Sequence, residues 1–399
     1  MDEHGTAVRP DSESDGQALQ RLRRTLEALL GTPATEGNEL LLLRNGDQIF
    51  PAMLAAIRGA ERSIDLLTFV YWRGEPAEQF ARALAERARA GVRVRVLLDA
   101  VGGRLIESQL IDHMQECGVR VEWFRRPWQV SPFKQNHRTH RKVLVVDERI
   151  GFTGGVGIAE EWCGDARDET EWRDTHVRVL GPAVDGLAAA FAQNWAETGH
   201  DLYDDSDRFP QQASSGTSVV QVARGSATVG WNDIATVFRV VLTSARRHVR
   251  MQTAYFVPDR TFEDLFLAAV ARGVQVDIML PGPHADKRVC QLASESTYQR
   301  LVEGGVNVWA FQPSMLHAKV MTVDGLVAVL GSANMNRRSL NHDEEVILSV
   351  LDRGIAERLE QDFEQDLLRC ERIDPSRWGA RPLHQKAQEH AVTVLKRWF

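Results

Sequence analysis

Two stretches decide the fold of this chain: His140-Arg141-Lys142-Val143-Leu144-Val145-Val146-Asp147 and His317-Ala318-Lys319-Val320-Met321-Thr322-Val323-Asp324. Both read H-x-K-x-x-x-x-D, and the apolar, β-branched residues after each lysine are typical of a strand. Side chains alternate along a strand, so the histidine and the lysine of each copy share one face. The two copies therefore predict two strands that each present an imidazole and an ammonium group to a cleft.

The sequence around the two stretches repeats as well. Residues 89–98 and 271–280 each combine a helix end, a glycine and an apolar strand. Residues 116–121 and 303–308 form a second pair with the same pattern. Such units predict an α/β fold of two duplicated halves, each a mixed or mostly parallel sheet flanked by helices. A glycine before an apolar strand is common in α/β proteins, so these echoes alone leave convergence open. The duplicated H-x-K-x-x-x-x-D pattern favours duplication.

Composition shifts along the chain predict five segments. We expect a tail and lead-in helix over 1–36, a first half over 37–203, a linker over 204–216, a second half over 217–374 and an amphipathic helix over 375–399. The lead-in helix rests on leucines at helical spacing: Leu19, Leu22, Leu26, Leu29 and Leu30. The C-terminal helix has one apolar face, which leaves open either docking onto the second half or anchoring on anionic lipid; that face contains Ala387, Ala391, Val394, Leu395 and Trp398.

Composition excludes several classes of protein. The 399 residues are 43% hydrophobic and 26% charged, as in a globular protein, and 48 Lys and Arg against 55 Asp and Glu give a net charge of −7. That charge disfavours a generic nucleic-acid binder, although a locally basic cleft remains compatible with it. Four dispersed cysteines predict reduced thiols in a cytosolic protein. The acidic N-terminus and the absence of a long apolar run predict that any membrane contact is peripheral.

Small and acidic residues recur after each copy of the motif. Gly155 lets an anionic ligand approach the backbone closely, and Ser332 and Asn334 add donors at the equivalent place in the second half. Asp174 and Glu345 occupy equivalent positions in the strands further along. A carboxylate behind a histidine fixes its tautomer, so we expect these two residues to orient the imidazoles.

These residue types suit phosphodiester chemistry without a metal or another cofactor. One neutral imidazole attacks phosphorus, a protonated one donates to the leaving alkoxide, and lysines neutralise the phosphate oxygens. The candidate catalytic residues are the repeated ones: His140, Lys142, Asp147, His317, Lys319 and Asp324. A single H-x-K would more often be a histidine at a strand edge beside a solvated lysine; two copies with identical spacing favour catalysis.

A family resemblance rests on longer runs. Residues 136–147, 151–155 and 172–179 of the first half, with 255–259 and 331–341 of the second, are similar to the bacterial cardiolipin synthase branch of the phospholipase D superfamily. The resemblance covers about residues 37 to 370. It implies two α/β halves that share one active site at a pseudo-twofold interface.

The same resemblance implies a reaction. Phosphatidylglycerol would form a phosphatidyl-histidine, and the hydroxyl of a second lipid would resolve it to cardiolipin at the inner face of the cell membrane. His140 would be the nucleophile and His317 the general acid and then base. Two positions depart from the branch: Gly157, where asparagine is frequent, and Asn336, where an acidic residue is frequent.

Alternatives from other classes stay open at this point. A hydrolase or a nuclease would use the same two histidines, and a scaffold would keep the fold without catalysis. The acidic net charge and the lipid-branch sequence argue against a nucleic-acid substrate. A mixed aromatic and basic run before the first motif is compatible with either the mouth of a lipid cleft or a packed loop; it contains Trp123, Phe124, Arg125, Arg126, Trp128, Val130, Phe133 and Lys134.

Overall fold

The computed structural model describes residues 14–126, 136–201, 208–226 and 232–379. Its helices are α1 (Asp15–Leu30), α2 (Asn45–Arg58), α3 (Glu75–Arg89), α4 (Ser108–Glu116), α5 (Val184–Ala196), α6 (Asp233–Ser244), α7 (Arg260–Ala271), α8 (Arg288–Glu303), α9 (Arg337–Asn341), α10 (Arg353–Leu367) and α11 (Pro375–Gly379). Its strands are β1 (Thr35–Arg44), β2 (Ser63–Thr68), β3 (Arg93–Asp99), β4 (Arg120–Phe124), β5 (Val143–Val146), β6 (Ile150–Gly154), β7 (Thr175–Leu180), β8 (Ser218–Gly225), β9 (His248–Thr253), β10 (Gln275–Pro281), β11 (Asn307–Phe311), β12 (Lys319–Val323), β13 (Val327–Gly331), β14 (Glu345–Leu351) and β15 (Cys370–Arg372).

The strands form one sheet whose order shows the duplication directly. The order is β15-β11-β10-β9-β12-β13-β14-β8-β1-β7-β6-β5-β2-β3-β4. Outward from the central β8–β1 pair, β14 corresponds to β7, β13 to β6, β12 to β5, and β9-β10-β11 to β2-β3-β4. The β2-β3-β4 and β9-β10-β11 groups are parallel and the other pairs are antiparallel. The predicted fold of two mixed α/β halves is confirmed.

The repeated glycines end equivalent helices in the two halves. Gly91 follows α3 with φ 89° and Gly273 follows α7 with φ 89°. Gly118 after α4 and Gly305 after α8 have φ values of 96° and 91°. The left-handed region is strained for residues with a Cβ, so glycine lets each helix stop and turn into the next parallel strand.

Two cores belong to the halves and a third joins them. Helices α2, α3 and α4 pack on the first sheet region, and α6, α7 and α8 pack on the second. The third cluster combines Phe191 and Trp195 of α5 with Val320 and Leu348 of the second half. The halves therefore share buried apolar surface as well as a sheet, which fixes their relative position at the site.

Helix α1 lies in the segment predicted to contain the lead-in helix, and it packs against the second half. Ser14 and Gln17 form a capping box at its start, and Gly31 ends it with φ 65°. Leu22 and Leu26 are buried among the residues of the second-half core. The segment that precedes the first half in the chain therefore helps to hold the second.

Several predicted segments lie partly or wholly outside the described residues. Of the linker, residues 208–216 run without regular structure, and Arg208 is buried against Asp65. The apolar face expected over 387–398 lies outside the described ranges, as do Trp128, Val130, Phe133 and Lys134. None of the described helices is long and apolar enough to cross a membrane. The four cysteines are free thiols.

Candidate active site

The backbone of each motif histidine forms a hydrogen bond with a residue of the other half. The backbone NH of His140 donates to the carbonyl oxygen of Glu344 (2.9 Å), and the backbone NH of His317 donates to that of Arg173 (2.7 Å). Glu344 and Arg173 each come one residue before a predicted orienting carboxylate. The two bonds are symmetry equivalents, so the halves present both motifs to one shared site.

The carboxylates pair with the histidines across the halves. His140 Nδ1 lies 2.9 Å from Glu345 Oε1, and His317 Nδ1 lies 2.7 Å from Asp174 Oδ2. Both carboxylates are completely buried, whereas the His140 and His317 side chains keep 12% and 6% of their surface exposed. With Nδ1 held by a carboxylate, Nε2 of each ring is the atom left for chemistry.

Each lysine bonds to the backbone of the histidine in its own motif. Lys142 Nζ donates to the His140 carbonyl oxygen (2.8 Å) and lies 5.6 Å from the centre of the Phe69 ring. Lys319 Nζ donates to the His317 carbonyl oxygen (2.5 Å) and lies 3.0 Å from His317 Nδ1. Both residues are buried, so their charge acts on the site with little screening by solvent.

Burial and mutual repulsion shift the pKa of these groups strongly. Burial, then the charges of Lys142 and Lys319, hold the pKa of both histidines well below the usual range. Burial lowers the pKa of Lys142 to about 8 and of Lys319 to about 7, and it raises the pKa of Glu345 to about 7. Burial likewise raises the pKa of Asp174. Both imidazoles are therefore neutral in the unliganded protein, which suits a nucleophile.

These pKa shifts predict a narrow pH profile. Lys319 must stay protonated to neutralise a phosphate, so kcat/KM should fall as pH rises above about 7 to 8. Glu345 must be ionised to support a charged His140, so kcat/KM should also fall as pH drops below about 7. Rates measured from about pH 5.5 to about 9.5 test this bell shape. Lys319→Arg keeps its charge and should move the alkaline limb up to the pKa of Lys142, about 8, at a lower overall rate, whereas a flat wild-type profile would contradict the assignment.

The small residues support the carboxylates more directly than they support a ligand. A Cβ at Gly155 would lie 2.2 Å from Asp174 Oδ1, so glycine is what makes room for that carboxylate. Ser332 Oγ donates to Glu345 Oε2, which makes it an orienting group for the carboxylate. Asn334 is buried, and its Oδ1 is without a hydrogen-bond partner in the described part of the chain.

Asp147 and Asp324, which the sequence analysis expects in the catalytic group, each accept hydrogen bonds from backbone NH groups of a neighbouring turn. Asp147 accepts hydrogen bonds from the backbone NH groups of Glu61, Arg62 and Ser63, at 2.9, 2.7 and 2.9 Å. Asp324 accepts from three equivalent NH groups, those of residues 246–248, at 3.0, 2.7 and 3.0 Å. Each aspartate comes five residues after the lysine of its motif, just past the far end of β5 or β12, so the two Cα atoms are up to about 16 Å apart. Both aspartates hold the turns that enter β2 and β9.

Loss of either aspartate should therefore affect folding more than turnover. Asp147→Ala and Asp324→Ala each leave three backbone NH groups without their acceptor, which should lower the free energy of unfolding by about 2 kcal/mol. Denaturant titration measures that loss. The turnover per folded molecule should stay within about threefold of the wild type. A fully folded Asp324→Ala variant with no activity would instead return this residue to the catalytic group.

Trp162 is a site residue that the sequence prediction missed. Its Nε1 donates to Asp174 Oδ2 (2.9 Å), and its ring lies edge-on to His317 with centroids 5.1 Å apart. A Cβ at Gly157 would lie 3.2 Å from the Trp162 ring and 2.7 Å from Val70 Cβ. Glycine in place of the frequent asparagine thus accommodates this indole. The departure at Gly157 was the signal that could have led to Trp162.

Removing the indole donor should weaken catalysis without unfolding the protein. Trp162→Phe keeps most of the packing but leaves Asp174 without one of its donors, so we expect kcat to fall about 10- to 100-fold with little change in KM. Trp309→Phe is the matched control, because Trp309 Nε1 donates to Asp277 Oδ1 (3.0 Å) on β10, outside the site. Equal kcat values for the two variants would contradict a positioning role for Trp162.

The predicted residues thus fall into two sets. His140, Lys142, His317, Lys319, Asp174 and Glu345 come together with Gly155 and Ser332 as their support, whereas Asp147 and Asp324 lie apart. His137 contacts the His342 carbonyl oxygen through Nδ1 (2.9 Å). Across the described ranges, no group of three or more His, Cys, Asp or Glu side chains is placed to hold a metal ion.

Several curated proteins similar to this chain are named cardiolipin synthases. A cardiolipin synthase of Geobacillus kaustophilus is 32% identical over 368 residues, which cover 91% of this chain and 73% of that protein. Cardiolipin synthase 2 of Staphylococcus epidermidis is 29% identical over 402 residues, covering 99% and 82% of the two chains. Cardiolipin synthase 1 of Bacillus cereus is 30% identical over 386 residues, covering 94% and 75%.

Solved structures share the fold. Phosphatidylserine synthase of Haemophilus influenzae superposes with a TM-score of 0.71 at 15% identity, covering 95% of this chain and 97% of that one. Polyphosphate kinase of Porphyromonas gingivalis superposes with a TM-score of 0.58 at 14% identity, covering 90% of this chain and 54% of that one. At these identities the likeness concerns the fold alone.

The family profile described as "Cardiolipin synthase, PLD-like domain" matches residues 53–195 and 239–367, one segment in each half. These segments contain both copies of the H-x-K motif, both orienting carboxylates and the Trp162 donor. The repeated sheet, the paired histidines and this match agree, and the chain belongs to the cardiolipin synthase family of phospholipase D-like proteins.

Proposed function

We propose that this protein is a phosphatidyltransferase that makes cardiolipin from two molecules of phosphatidylglycerol through a phosphatidyl-histidine intermediate. The observation that carries the proposal is the cross-half arrangement, in which each of two buried carboxylates holds the histidine of the other half, and the lysine of each motif bonds to the carbonyl oxygen of that histidine. The names of the relatives supply the lipid class. The protein would bind peripherally to the cytoplasmic side of the bacterial cell membrane.

The first chemical step transfers the phosphatidyl group to the protein. The Nε2 lone pair of His140 forms a bond to phosphorus, and the phosphorus–oxygen bond to the glycerol headgroup breaks. His317 gives its Nε2 proton to the departing oxygen, so glycerol leaves as a neutral alcohol. The negative charge of a bound phosphate offsets the ammonium charges that hold down the pKa of His317, so substrate binding itself favours the protonated acid.

The second step reverses these roles. His317, now neutral, takes the proton from a hydroxyl of the second phosphatidylglycerol, whose oxygen attacks phosphorus while the bond to His140 breaks. Cardiolipin is released and both imidazoles return to their starting state. Lys142 and Lys319 stabilise the charge on the phosphate oxygens in both steps, a role in which buried ammonium groups are more effective than exposed ones.

The acceptor decides between this proposal and a hydrolase with the same site. Incubation of the protein with phosphatidylglycerol vesicles in EDTA, with products identified by mass spectrometry, should give cardiolipin and glycerol in equal amounts. Phosphatidic acid without cardiolipin would make the protein a hydrolase. If the lipid did not react and the protein instead cleaved single-stranded DNA, the substrate would be a nucleic acid and the lipid proposal would be wrong.

A further inference from the structure

Two loops occupy equivalent places beside the candidate site. The first rim loop is residues 100–107, after β3, and the second rim loop is residues 282–289, after β10 and including the first two residues of α8. Since β3 and β10 correspond in the duplicated sheet, the two loops are related by the same symmetry as the two histidines.

One aromatic ring separates the first rim loop from His140. The carbonyl oxygen of Gly102 accepts a hydrogen bond from Trp72 Nε1 (2.7 Å), and a Cβ at Gly102 would lie 2.7 Å from the Phe69 ring. The loop therefore packs directly on Phe69. The Phe69 ring in turn lies edge-on to His140, with centroids 5.1 Å apart.

One aromatic ring likewise separates the second rim loop from His317. Asp286 accepts a hydrogen bond from the Tyr255 hydroxyl (2.7 Å), and Lys287 Nζ lies 5.4 Å from the centre of the Tyr255 ring. That ring lies edge-on to His317 at 6.4 Å. Both loops are therefore attached to the walls of the site.

The rim loops expose aliphatic and basic side chains together. Val101, Leu105 and Val289 are 43%, 40% and 36% exposed, and they make up three of the six exposed large hydrophobic residues in the described chain. A single exposed aliphatic residue is ordinary, but recurrence at symmetry-equivalent places around one site is not. Exposed basic residues accompany them: Arg104, Lys287 and Arg288.

The two rim loops carry three basic residues, Arg104, Lys287 and Arg288, against two acidic ones, Glu107 and Asp286, so their charge is opposite in sign to that of the whole chain. Lys287 is close enough to help lower the pKa of both His140 and His317, after burial and the two catalytic-site lysines. The whole chain carries a net charge of −7. An anionic surface would therefore repel most of the body and attract this rim, which orients the protein with its site toward that surface.

We propose that the two rim loops form a membrane-docking surface for bilayers that contain anionic phospholipid. Val101, Leu105 and Val289 enter the boundary between headgroups and acyl chains, and Arg104, Lys287 and Arg288 contact headgroup phosphates. This inference rests on the proposed function in one respect, namely that the substrate phosphate lies at the headgroup level of a bilayer. Docking by these loops would place both histidines at that level.

Vesicle binding tests the surface separately from catalysis. The test variant is Val101→Asp with Leu105→Asp and Val289→Asp, which changes no residue of the site. Leu41→Asp is the matched control, because Leu41 is 43% exposed on β1 and lies in register with Arg178. Each protein is sedimented with phosphatidylcholine vesicles, with and without phosphatidylglycerol, and is assayed on monomeric dihexanoyl-phosphatidylglycerol.

Wild type and Leu41→Asp should bind equally to vesicles that contain phosphatidylglycerol, and less at high salt. The triple variant should lose about tenfold or more of this binding and keep turnover of the monomeric lipid within about twofold. Wild-type protein that ignores both kinds of vesicle, or a triple variant that binds normally, would overturn the docking surface. If binding falls as expected while no protein turns over the monomeric lipid, the docking surface stands and the proposed function fails.

Discussion

Replacement of either His140 or His317 by alanine is expected to lower turnover of phosphatidylglycerol by about four orders of magnitude or more. His140→Ala removes the atom that bonds to phosphorus, and His317→Ala removes the proton donor and acceptor. The residual rate should be set by the two buried lysines, which still bind and polarise the phosphate. Steady-state assays with mass-spectrometric detection measure the loss.

The double variant distinguishes a joint mechanism from two independent contributions. Groups that act in one step are strongly non-additive, so the variant without both histidines should be about as slow as the worse single variant. His137→Ala is the control, because His137 contacts the His342 carbonyl oxygen instead of a catalytic-site carboxylate. Additive losses in the double variant, or full turnover by either single variant, would contradict the two-histidine mechanism.

The second large effect is expected at the orienting carboxylates. Glu345→Gln should impair His140, and Asp174→Asn should impair His317. We expect each substitution to lower turnover by about two to four orders of magnitude. The reason is that each imidazole loses the charge that fixes its tautomer and supports its protonated form. Each amide keeps the volume of the acid it replaces. Unchanged thermal unfolding temperatures would confirm that the loss is electrostatic.

A neighbouring residue provides the control for these substitutions. Glu344→Gln changes a buried carboxylate next to Glu345, but its contacts go to Arg125 and Arg141 instead of an imidazole. We expect this variant to lose less than about tenfold in turnover. A loss equal to that of Glu345→Gln would mean that any buried charge at this interface is required, and that orientation of His140 is not the specific cause.

Much of this arrangement follows from local sequence rules. The spacing of His140 and Lys142 predicted a shared face, and the glycines after α3 and α7 predicted equivalent helix ends in a duplicated sheet. Both are consequences of strand alternation and of left-handed backbone, which act over a few residues. The paired histidines and lysines of the site could therefore be predicted.

Properties that depend on long-range geometry could not be predicted in this way. Asp174 and Glu345 were expected behind histidines, but the crossing of each to the other half depends on how the two halves meet. Asp147 was assigned to the site because it ends the repeated motif, although the length of β5 carries it to the other end of the strand. Trp162 ends a three-residue 3₁₀ helix, Glu160–Trp162, which is too short to leave a periodic pattern in the sequence.

The central claim is that each histidine works with the carboxylate of the other half. Pre-steady-state release of p-nitrophenol from phosphatidyl-p-nitrophenol tests it most directly, since this leaving group departs without a proton. We predict that His317→Ala and Asp174→Asn recover the burst to within about tenfold of the wild type, whereas His140→Ala and Glu345→Gln do not. The cross-half site would be contradicted if Glu345→Gln recovered the burst together with His317→Ala, while Asp174→Asn failed to recover it together with His140→Ala.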